Sequence, residues 1–216
     1  ITAGAPAPAW LVADKDDMAR SSGHFIPYSL ESERMKQVLD RYYRMVVGEW
    51  NKYPPMTSFV ILNEPSYIGR TPAFAEMFRD WLRLEYTDIA ALNTEWQTDY
   101  ASFDDVPADR LMASVAGRRD WADFNRLHLT RHTRYLQGLL EKYRRRPHPG
   151  FVKFMPDPVR NPNAWAEGCD WEAVTQFMDL SGYDSGNSTE PMITDYFWSI
   201  GGEKPLVNGE VHFDWH

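Results

Sequence analysis

The chain alternates between short apolar runs and longer segments in which apolar residues recur with a helical period. This alternation is typical of parallel strands joined by helical crossovers. Most of the runs are followed within a few residues by Pro, Gly, Asp or Asn, which end strands. The pattern therefore predicts an α/β fold. Its predicted strands are Ile1 to Ala5, Met56 to Leu62, Phe151 to Met155, Met178 to Gly182 and Leu206 to Phe213.

The segments between these runs predict a layer of helices. A stripe of apolar residues from Met35 to Val46 predicts the first helix, with Ser29 as its N-cap. After the second predicted strand, the spacing of aromatic and aliphatic residues indicates an inserted helical segment at about residues 66–118. A further helix is predicted from Trp121 to Tyr143. Strands and helices thus alternate along the chain, with one long insertion after the second predicted strand.

Five strand–helix units fit either an open doubly wound sheet or part of a closed (β/α)8 barrel. No Gly-rich phosphate loop follows any predicted strand, which argues against the nucleotide-binding doubly wound folds. A complete barrel takes about 250 residues, whereas this chain has 216 and begins at Ile1. We therefore expect an incomplete (β/α)8 TIM barrel, about strands three to seven with their helices, and an excerpt of a longer catalytic domain over residues 1–216.

Composition narrows the range of partners. The formal net charge of −8 disfavours a nucleic acid or an anionic membrane surface, and no segment is long and apolar enough to cross a bilayer. Aromatic residues make up 14% of the chain, including 9 Trp, which suits ligands that stack on rings, such as sugars. The single Cys169 excludes an internal disulfide framework. Compartment and oligomeric state stay open, and a homo-oligomer is compatible with the sequence.

Two glutamates stand where predicted strands end. Glu64 follows the apolar run Phe59-Val60-Ile61-Leu62 and precedes Pro65, which cannot extend a ladder. Glu210 lies in the last predicted strand, where an apolar residue is the usual choice. In a barrel, both carboxyl groups would face the same mouth. Two facing carboxyl groups suit cleavage of a glycosidic bond, because one donates a proton while the other stabilises positive charge at the anomeric carbon.

The surrounding motifs resemble a known group of enzymes. Leu62-Asn63-Glu64-Pro65 and Glu210-Val211-His212 look like the acid/base and nucleophile signatures of clan A glycoside hydrolases, which are retaining (β/α)8 enzymes. Ala7-Pro8-Ala9-Trp10-Leu11 and Phe78-Arg79-Asp80-Trp81-Leu82 are most similar to segments of the family 42 β-galactosidases. The resemblance spans nearly the whole chain.

This resemblance implies roles for particular residues. Glu64 would be the general acid/base, Glu210 the nucleophile, and Asn63 a donor to the sugar 2-hydroxyl. Tyr183 stands where clan members often keep a tyrosine near the nucleophile. The implied substrate is a β-galactoside oligosaccharide or polysaccharide, hydrolysed with retention. Many family members carry a cysteine cluster for structural zinc after the acid/base strand, and residues 66–76 contain no cysteine, so structural zinc is not expected.

Three further residues are candidates for sugar contacts on position alone. His212 has the same strand parity as Glu210, and we expect it either to point into the same mouth or to pack inside the barrel. Trp10 and Trp215 each follow a predicted strand, where a ring can form the floor of a sugar subsite or belong to the core. His128 and His132 have the spacing of a metal-binding pair on a helix, but packing or a hydrogen bond to a neighbouring helix is the expected role, and no metal or cofactor is predicted.

Other functions remain open at this level. The same clan includes endo-acting β-glycanases of agarase or mannanase type, and a non-catalytic carbohydrate-binding relative would keep much of the same pattern. A third alternative makes the carboxylates at the strand ends a divalent metal site, as in barrels that stabilise enolates.

Overall fold

The computed structural model describes residues 26–53, 58–155, 167–185 and 190–211. The regular elements of these residues alternate as the sequence predicts. In chain order they are α1 (Glu33–Trp50), β1 (Phe59–Asn63), α2 (Pro72–Glu85), α3 (Ile89–Trp96), a 3-10 turn (Phe103–Asp105), α4 (Val115–Tyr143), β2 (Gly150–Lys153), α5 (Trp171–Phe177), β3 (Ser181–Ser185), α6 (Glu190–Gly201) and β4 (Leu206–Val211).

The four described strands lie side by side in chain order. β1 pairs with β2, β3 pairs with β4, and a bridge between Phe154 and Tyr183 joins the two pairs, all in parallel. A doubly wound sheet reverses its strand order at a switch point, whereas these strands never reverse, as expected for an arc of a barrel. The carboxyl ends of all four strands therefore lie along one edge.

Two hydrophobic cores share one long helix, α4, and each core packs against a different half of it. The first core packs strand residues such as Leu62 and Val152 against α1, α5, α6 and the second half of α4. The other core packs α2 and α3 against the first half of α4, around Trp121 and Phe124. The 29 residues of α4 extend over about 43 Å at 1.5 Å per residue. This length lets one helix serve both cores, so the segment after β1 has a core of its own.

Local side chains set several helix boundaries. The hydroxyl group of Ser32 accepts a hydrogen bond from the backbone N–H of Met35 and caps α1. The prediction of Ser29 as this N-cap is wrong, because Ser29 is bound instead to the side chain of Glu31. Asp170 caps α5 in the same way as Ser32 caps α1. None of the described helices has the length and apolar character needed to cross a membrane.

Strand boundaries differ from the predicted ones most clearly at β3. The prediction of a strand from Met178 to Gly182 is shifted, because the N–H of Met178 still bonds to the carbonyl of Val174 and ends α5. The strand begins at Ser181 and continues to Ser185. Asp184 therefore belongs to the strand and lies close to its carboxyl end. The predicted strand Ile1 to Ala5 lies outside the described residues.

Candidate active site

The first element of the site is the end of β1. Glu64 follows the last residue of this strand, and its N–H donates to the carbonyl of Lys153 on β2. Its backbone has a φ of 45°, a conformation that is uncommon outside glycine. Such backbone strain is often found at functional sites, where it aims a side chain that a regular strand would send elsewhere. The Glu64 side chain is 17% exposed.

The second element is an irregularity in β4. Tyr183 pairs with Asn208, but the next residue, Asp184, pairs with Glu210, so Gly209 is an extra residue in the ladder. A bulge of this kind shifts the alternation of side chains. It brings Glu210 to the same face as Asp184, and the Glu210 side chain is 43% exposed. The N–H of Glu210 donates to the side-chain oxygen of Asn208.

Three carboxyl groups converge as a result. One carboxylate oxygen each from Glu64, Asp184 and Glu210 lie within 4.8 Å of one another. They come from three different strands and meet at the carboxyl edge of the sheet. The structure thus brings together Glu64 and Glu210, the pair that the sequence singles out.

The ammonium group of Lys153 lies at the centre of this cluster. Its Nζ is 2.9 Å from Oε1 of Glu64, 3.4 Å from Oδ2 of Asp184, and in contact with Oε2 of Glu210. The Lys153 side chain is 5% exposed. Burial lowers the pKa of Lys153, but hydrogen bonds to Glu210 and Glu64 outweigh burial and raise it. The lysine is therefore a buried cation, and a divalent metal at this centre would have to displace it.

Asp184 is the buried carboxyl group of the cluster. Its side chain is 6% exposed. Burial raises the pKa of Asp184, Lys153 lowers it, and the nearby charge of Glu210 raises it again, with a net increase. The carboxyl group of Asp184 therefore holds its proton more tightly than an isolated aspartic acid does.

The other predicted contact residues differ in where they lie. Asn63 is the last residue of β1 and is partly exposed next to Glu64. Tyr183 is buried on the opposite face of β3, where its ring stacks on Phe197 of α6 and its hydroxyl is 2.8 Å from that of Thr194. The predicted strand ends at Gly182, which places Tyr183 just beyond it, but β3 continues to Ser185. Tyr183 and Asp184 therefore point to opposite faces of β3, and the side chain that reaches the cluster is that of Asp184. Trp10, His212 and Trp215 lie outside the described residues.

Sequence reasoning missed Lys153, although a signal was present. The run Phe151-Val152-Lys153-Phe154-Met155 carries one charged residue in the middle of an apolar strand. A lysine is almost never fully buried unless it is paired. Its position in the strand therefore indicates a buried partner of opposite charge.

The comparisons with known proteins identify the family of this chain. The family model for glycoside hydrolase family 42, which is described as β-galactosidase, matches residues 2–212. The chain belongs to this family. Among proteins of curated function, none matches the chain.

Solved structures of family 42 proteins and their relatives share the fold. An exo-carrageenase of family 42 from Bacteroides ovatus superposes with a TM-score of 0.75 at 22% identity, over 94% of this chain and 33% of that one. A β-galactosidase from Rahnella sp. R3 superposes with a TM-score of 0.75 at 19% identity, over 95% of this chain and 33% of that one. A β-galactosidase from the psychrophilic Marinomonas ef1 superposes with a TM-score of 0.70 at 19% identity, over 96% of this chain and 37% of that one. This family 42 chain thus spans about a third of the length of those structures, and it shares their (β/α)8 barrel fold.

The two buried histidines on α4 of this family 42 chain have structural partners. The Nε2 atom of His128 is 2.8 Å from Oε1 of Glu31, and that of His132 is 3.1 Å from the hydroxyl of Tyr28. The two imidazoles therefore face different partners, as the prediction of a packing or hydrogen-bonding role implies.

A cleft of about 870 Å³ lies in the segment after β1, away from the carboxyl cluster. Trp81, Tyr86 and Trp96 contribute to its wall. The carboxylate of Asp120 accepts hydrogen bonds from Tyr86 and from Trp96, and these contacts tie α2, α3 and α4 together. These hydrogen bonds stabilise the second core. The carboxyl cluster is the better candidate for catalysis, because carboxyl groups from the ends of different strands meet there.

Proposed function

We propose that this chain forms part of a retaining β-glycosidase that acts on β-linked galactosides. Glu64 is the general acid/base and Glu210 is the nucleophile. The observation that carries the proposal is the convergence of their carboxylate oxygens, within 4.8 Å, at the carboxyl ends of two parallel strands. Retaining enzymes keep the two carboxyl groups about 5 to 5.5 Å apart, whereas inverting enzymes need about 6.5 to 9.5 Å for a water molecule.

The reaction proceeds in two displacements. In the first, a carboxylate oxygen of Glu210 forms a bond to the anomeric carbon while the bond from that carbon to the leaving oxygen breaks. Glu64 gives its proton to the leaving oxygen, so the aglycone departs as a neutral alcohol. The enzyme is left with a glycosyl ester on Glu210 and an ionised Glu64.

The second displacement reverses these roles. Glu64 takes a proton from a water molecule, whose oxygen attacks the anomeric carbon. The ester bond breaks, Glu210 recovers its negative charge, and Glu64 is again protonated. Two inversions at one carbon give overall retention. Around this centre, Asn63, His212, Trp10 and Trp215 are proposed to contact the sugar.

Galactose is the proposed sugar because of the family and its structures. The family model is described as β-galactosidase, and two of the solved structures are β-galactosidases. A second candidate is a galactose-based polysaccharide, since the exo-carrageenase of Bacteroides ovatus has a TM-score as high as that of the Rahnella protein. Product analysis with a simple aryl β-galactoside and with carrageenan or agar oligosaccharides separates the two candidates.

The experiment uses Glu64→Ala and Glu210→Ala in the full-length protein with an activated aryl β-galactoside and azide. Both variants are expected to lose turnover without azide. With azide, Glu64→Ala should give a β-galactosyl azide through the intact nucleophile, and Glu210→Ala should give the α-anomer by direct attack. Full activity in either variant, or the reverse pair of anomers, would contradict the assignment. A folded protein with sugar binding but no turnover would instead identify a non-catalytic relative.

A further inference from the structure

The buried lysine of the carboxyl cluster lies on the strand between those that carry the two proposed catalytic groups. Lys153 is the last residue of β2, which pairs with β1 and lies next to β3. Its ammonium contacts carboxyl groups from β1, β3 and β4. The titratable groups that face it in the described residues are Glu64, Asp184 and Glu210. This one cation therefore links every described strand of the arc.

The chain makes room for the lysine at a specific glycine. A Cβ atom at Gly209 would lie 2.9 Å from Cγ and 3.0 Å from Cδ of Lys153, which is too close for ordinary packing. Gly209 is also the extra residue of the bulge that turns Glu210 toward the cluster. The absence of a side chain at one position thus both seats the lysine stem and orients Glu210.

The exposures of the four side chains show that the lysine leaves the open side of the cluster clear. Lys153 and Asp184 are 5% and 6% exposed, whereas Glu64 and Glu210 are 17% and 43% exposed. The lysine and aspartate thus form the buried base, and the two glutamates face outward. A ligand that reaches both glutamates from the open side does not have to displace the ammonium.

We propose that Lys153 is a positioning residue, whose ammonium contacts Glu210 and holds that carboxyl group ionised and in place beside Glu64. This inference rests on the proposed function. Double displacement has to begin with an ionised nucleophile and a protonated acid only a few ångströms apart. A cation in contact with Glu210 favours the charged form of that carboxyl group.

The experiment compares pH profiles of kcat/KM for the full-length wild type, Lys153→Met and Lys153→Arg on an aryl β-galactoside. Without the cation, the acid limb of Lys153→Met is expected to move to higher pH, by about 1 to 3 on the pH scale, which is the usual effect of one adjacent opposite charge. At a fixed pH below the limb, a displacement of 1 on that scale lowers activity roughly tenfold. Lys153→Arg keeps the charge, so its acid limb should stay near that of the wild type even where its kcat is lower.

A matched control is Lys142→Met, which removes a lysine from an exposed ion pair with Asp40. Its profile should coincide with that of the wild type. If Lys153→Met also coincides with the wild type, the positioning role is overturned. If Lys153→Met fails to fold, Gly209→Ala decides, because it displaces the lysine stem while every charged group is kept. That variant should have a lower kcat and a raised acid limb, and an unchanged profile would overturn the proposal.

The same measurements distinguish a failure of this inference from a failure of the proposed function. A wild type without glycosidase activity, or a fully active Glu210→Gln variant, would overturn the proposed function and this inference with it. An active wild type that depends on Glu64 and Glu210 but not on Lys153 would overturn the positioning role alone.

Discussion

Two buried clusters of charge differ in how their carboxyl groups are satisfied. In the first, the single carboxylate of Glu31 accepts hydrogen bonds from the hydroxyls of Ser29, Tyr67 and Thr71, and its Oε1 is 2.8 Å from Nε2 of His128. These partners come from the segment before α1, the segment after β1, and α4. One acceptor is thus surrounded by donors, and it joins three parts of the fold.

In the second cluster, acceptors outnumber donors. Three carboxyl groups, from Glu64, Asp184 and Glu210, surround the single ammonium of Lys153. Burial raises the pKa of Glu31, but hydrogen bonds from His128 and Ser29 outweigh it and lower the pKa to about 2, whereas the pKa of Asp184 is raised. Similar residue types thus suit a stabilising contact where donors predominate, and they suit the proposed proton transfer where carboxyl groups are crowded.

Glu64→Gln is expected to have the largest effect. It removes the proposed proton donor, so kcat on an aryl β-galactoside with a poor leaving group should fall about 10³-fold. The free energy of unfolding should change little, because the amide keeps the shape of the side chain and Lys153 keeps its contacts with Asp184 and Glu210. Steady-state kinetics and urea unfolding of the same preparation provide the check. A large loss of stability without a loss of kcat would contradict this prediction, because it would give the Glu64 cluster the stabilising role that is assigned to the Glu31 cluster.

Glu31→Gln is expected to show the converse behaviour. The substitution removes the buried charge and replaces one acceptor oxygen by an NH2 group that faces donors, which should lower the free energy of unfolding by about 3 kcal/mol. The kcat per folded molecule should remain within about threefold of the wild type, because Glu31 does not touch the proposed catalytic pair. Urea unfolding and active-site titration measure the two quantities. A large decrease in kcat with unchanged stability would contradict the structural role of Glu31.

Acid should destabilise the protein through His132 before it affects Glu31. Burial, together with the charges of His128 and Lys36, lowers the pKa of His132 to about 3, below the value of about 6.5 in an unfolded chain. The unfolded state therefore binds the proton first, so stability is complete above pH 6.5 and decreases as the pH falls toward 3.

The pH dependence has a size that can be measured. His132 should contribute up to about 1.4 kcal/mol per pH unit to the slope of unfolding free energy between pH 6.5 and 4.5. Glu31 has a lowered pKa, so its contribution is complete above about pH 4.5 and is lost as the pH falls toward 2. His132→Gln should remove the first slope, and Glu31→Gln the second. Equal slopes in the wild type and in both variants would contradict this division.

Asp184→Asn should have the smallest of these effects. The amide keeps the shape of the side chain but removes one charge from the cluster, so kcat/KM should fall about tenfold, comparable to the loss of one charge-assisted hydrogen bond. Its matched control is Asp179→Asn, which alters a carboxylate paired with Arg144 beside the amino end of β2. Kinetics with the two variants side by side provide the check. Equal losses in both would indicate a general structural effect.

The sequence predicts the order of strands and helices and the two glutamates, because these depend on local patterns. Alternating periodicity and a carboxyl group at the end of an apolar strand are visible without any structure. Even Lys153 carries a local signal, as a charged residue within an apolar run. These features did not require knowledge of which strands become neighbours.

The remaining details depend on contacts between distant segments. The sequence predicts Tyr183 rather than Asp184 at the site, because the beginning of β3 depends on where α5 ends. The orientation of Glu210 depends on a bulge at Gly209, which exists only in the register between β3 and β4. The φ of 45° at Glu64 is likewise fixed by its surroundings. Local propensity contains none of this information, since register is a property of pairs of strands.

The most direct test of the central claim is to trap the glycosyl-enzyme. The full-length protein is incubated with an activated 2-deoxy-2-fluoro-β-galactoside, digested, and analysed by mass spectrometry. A single fluorogalactosyl adduct is expected on the peptide that contains Glu210, with loss of activity in step with labelling. Labelling of Glu64 instead, or turnover of ordinary substrate while Glu210 stays unlabelled, would contradict that claim.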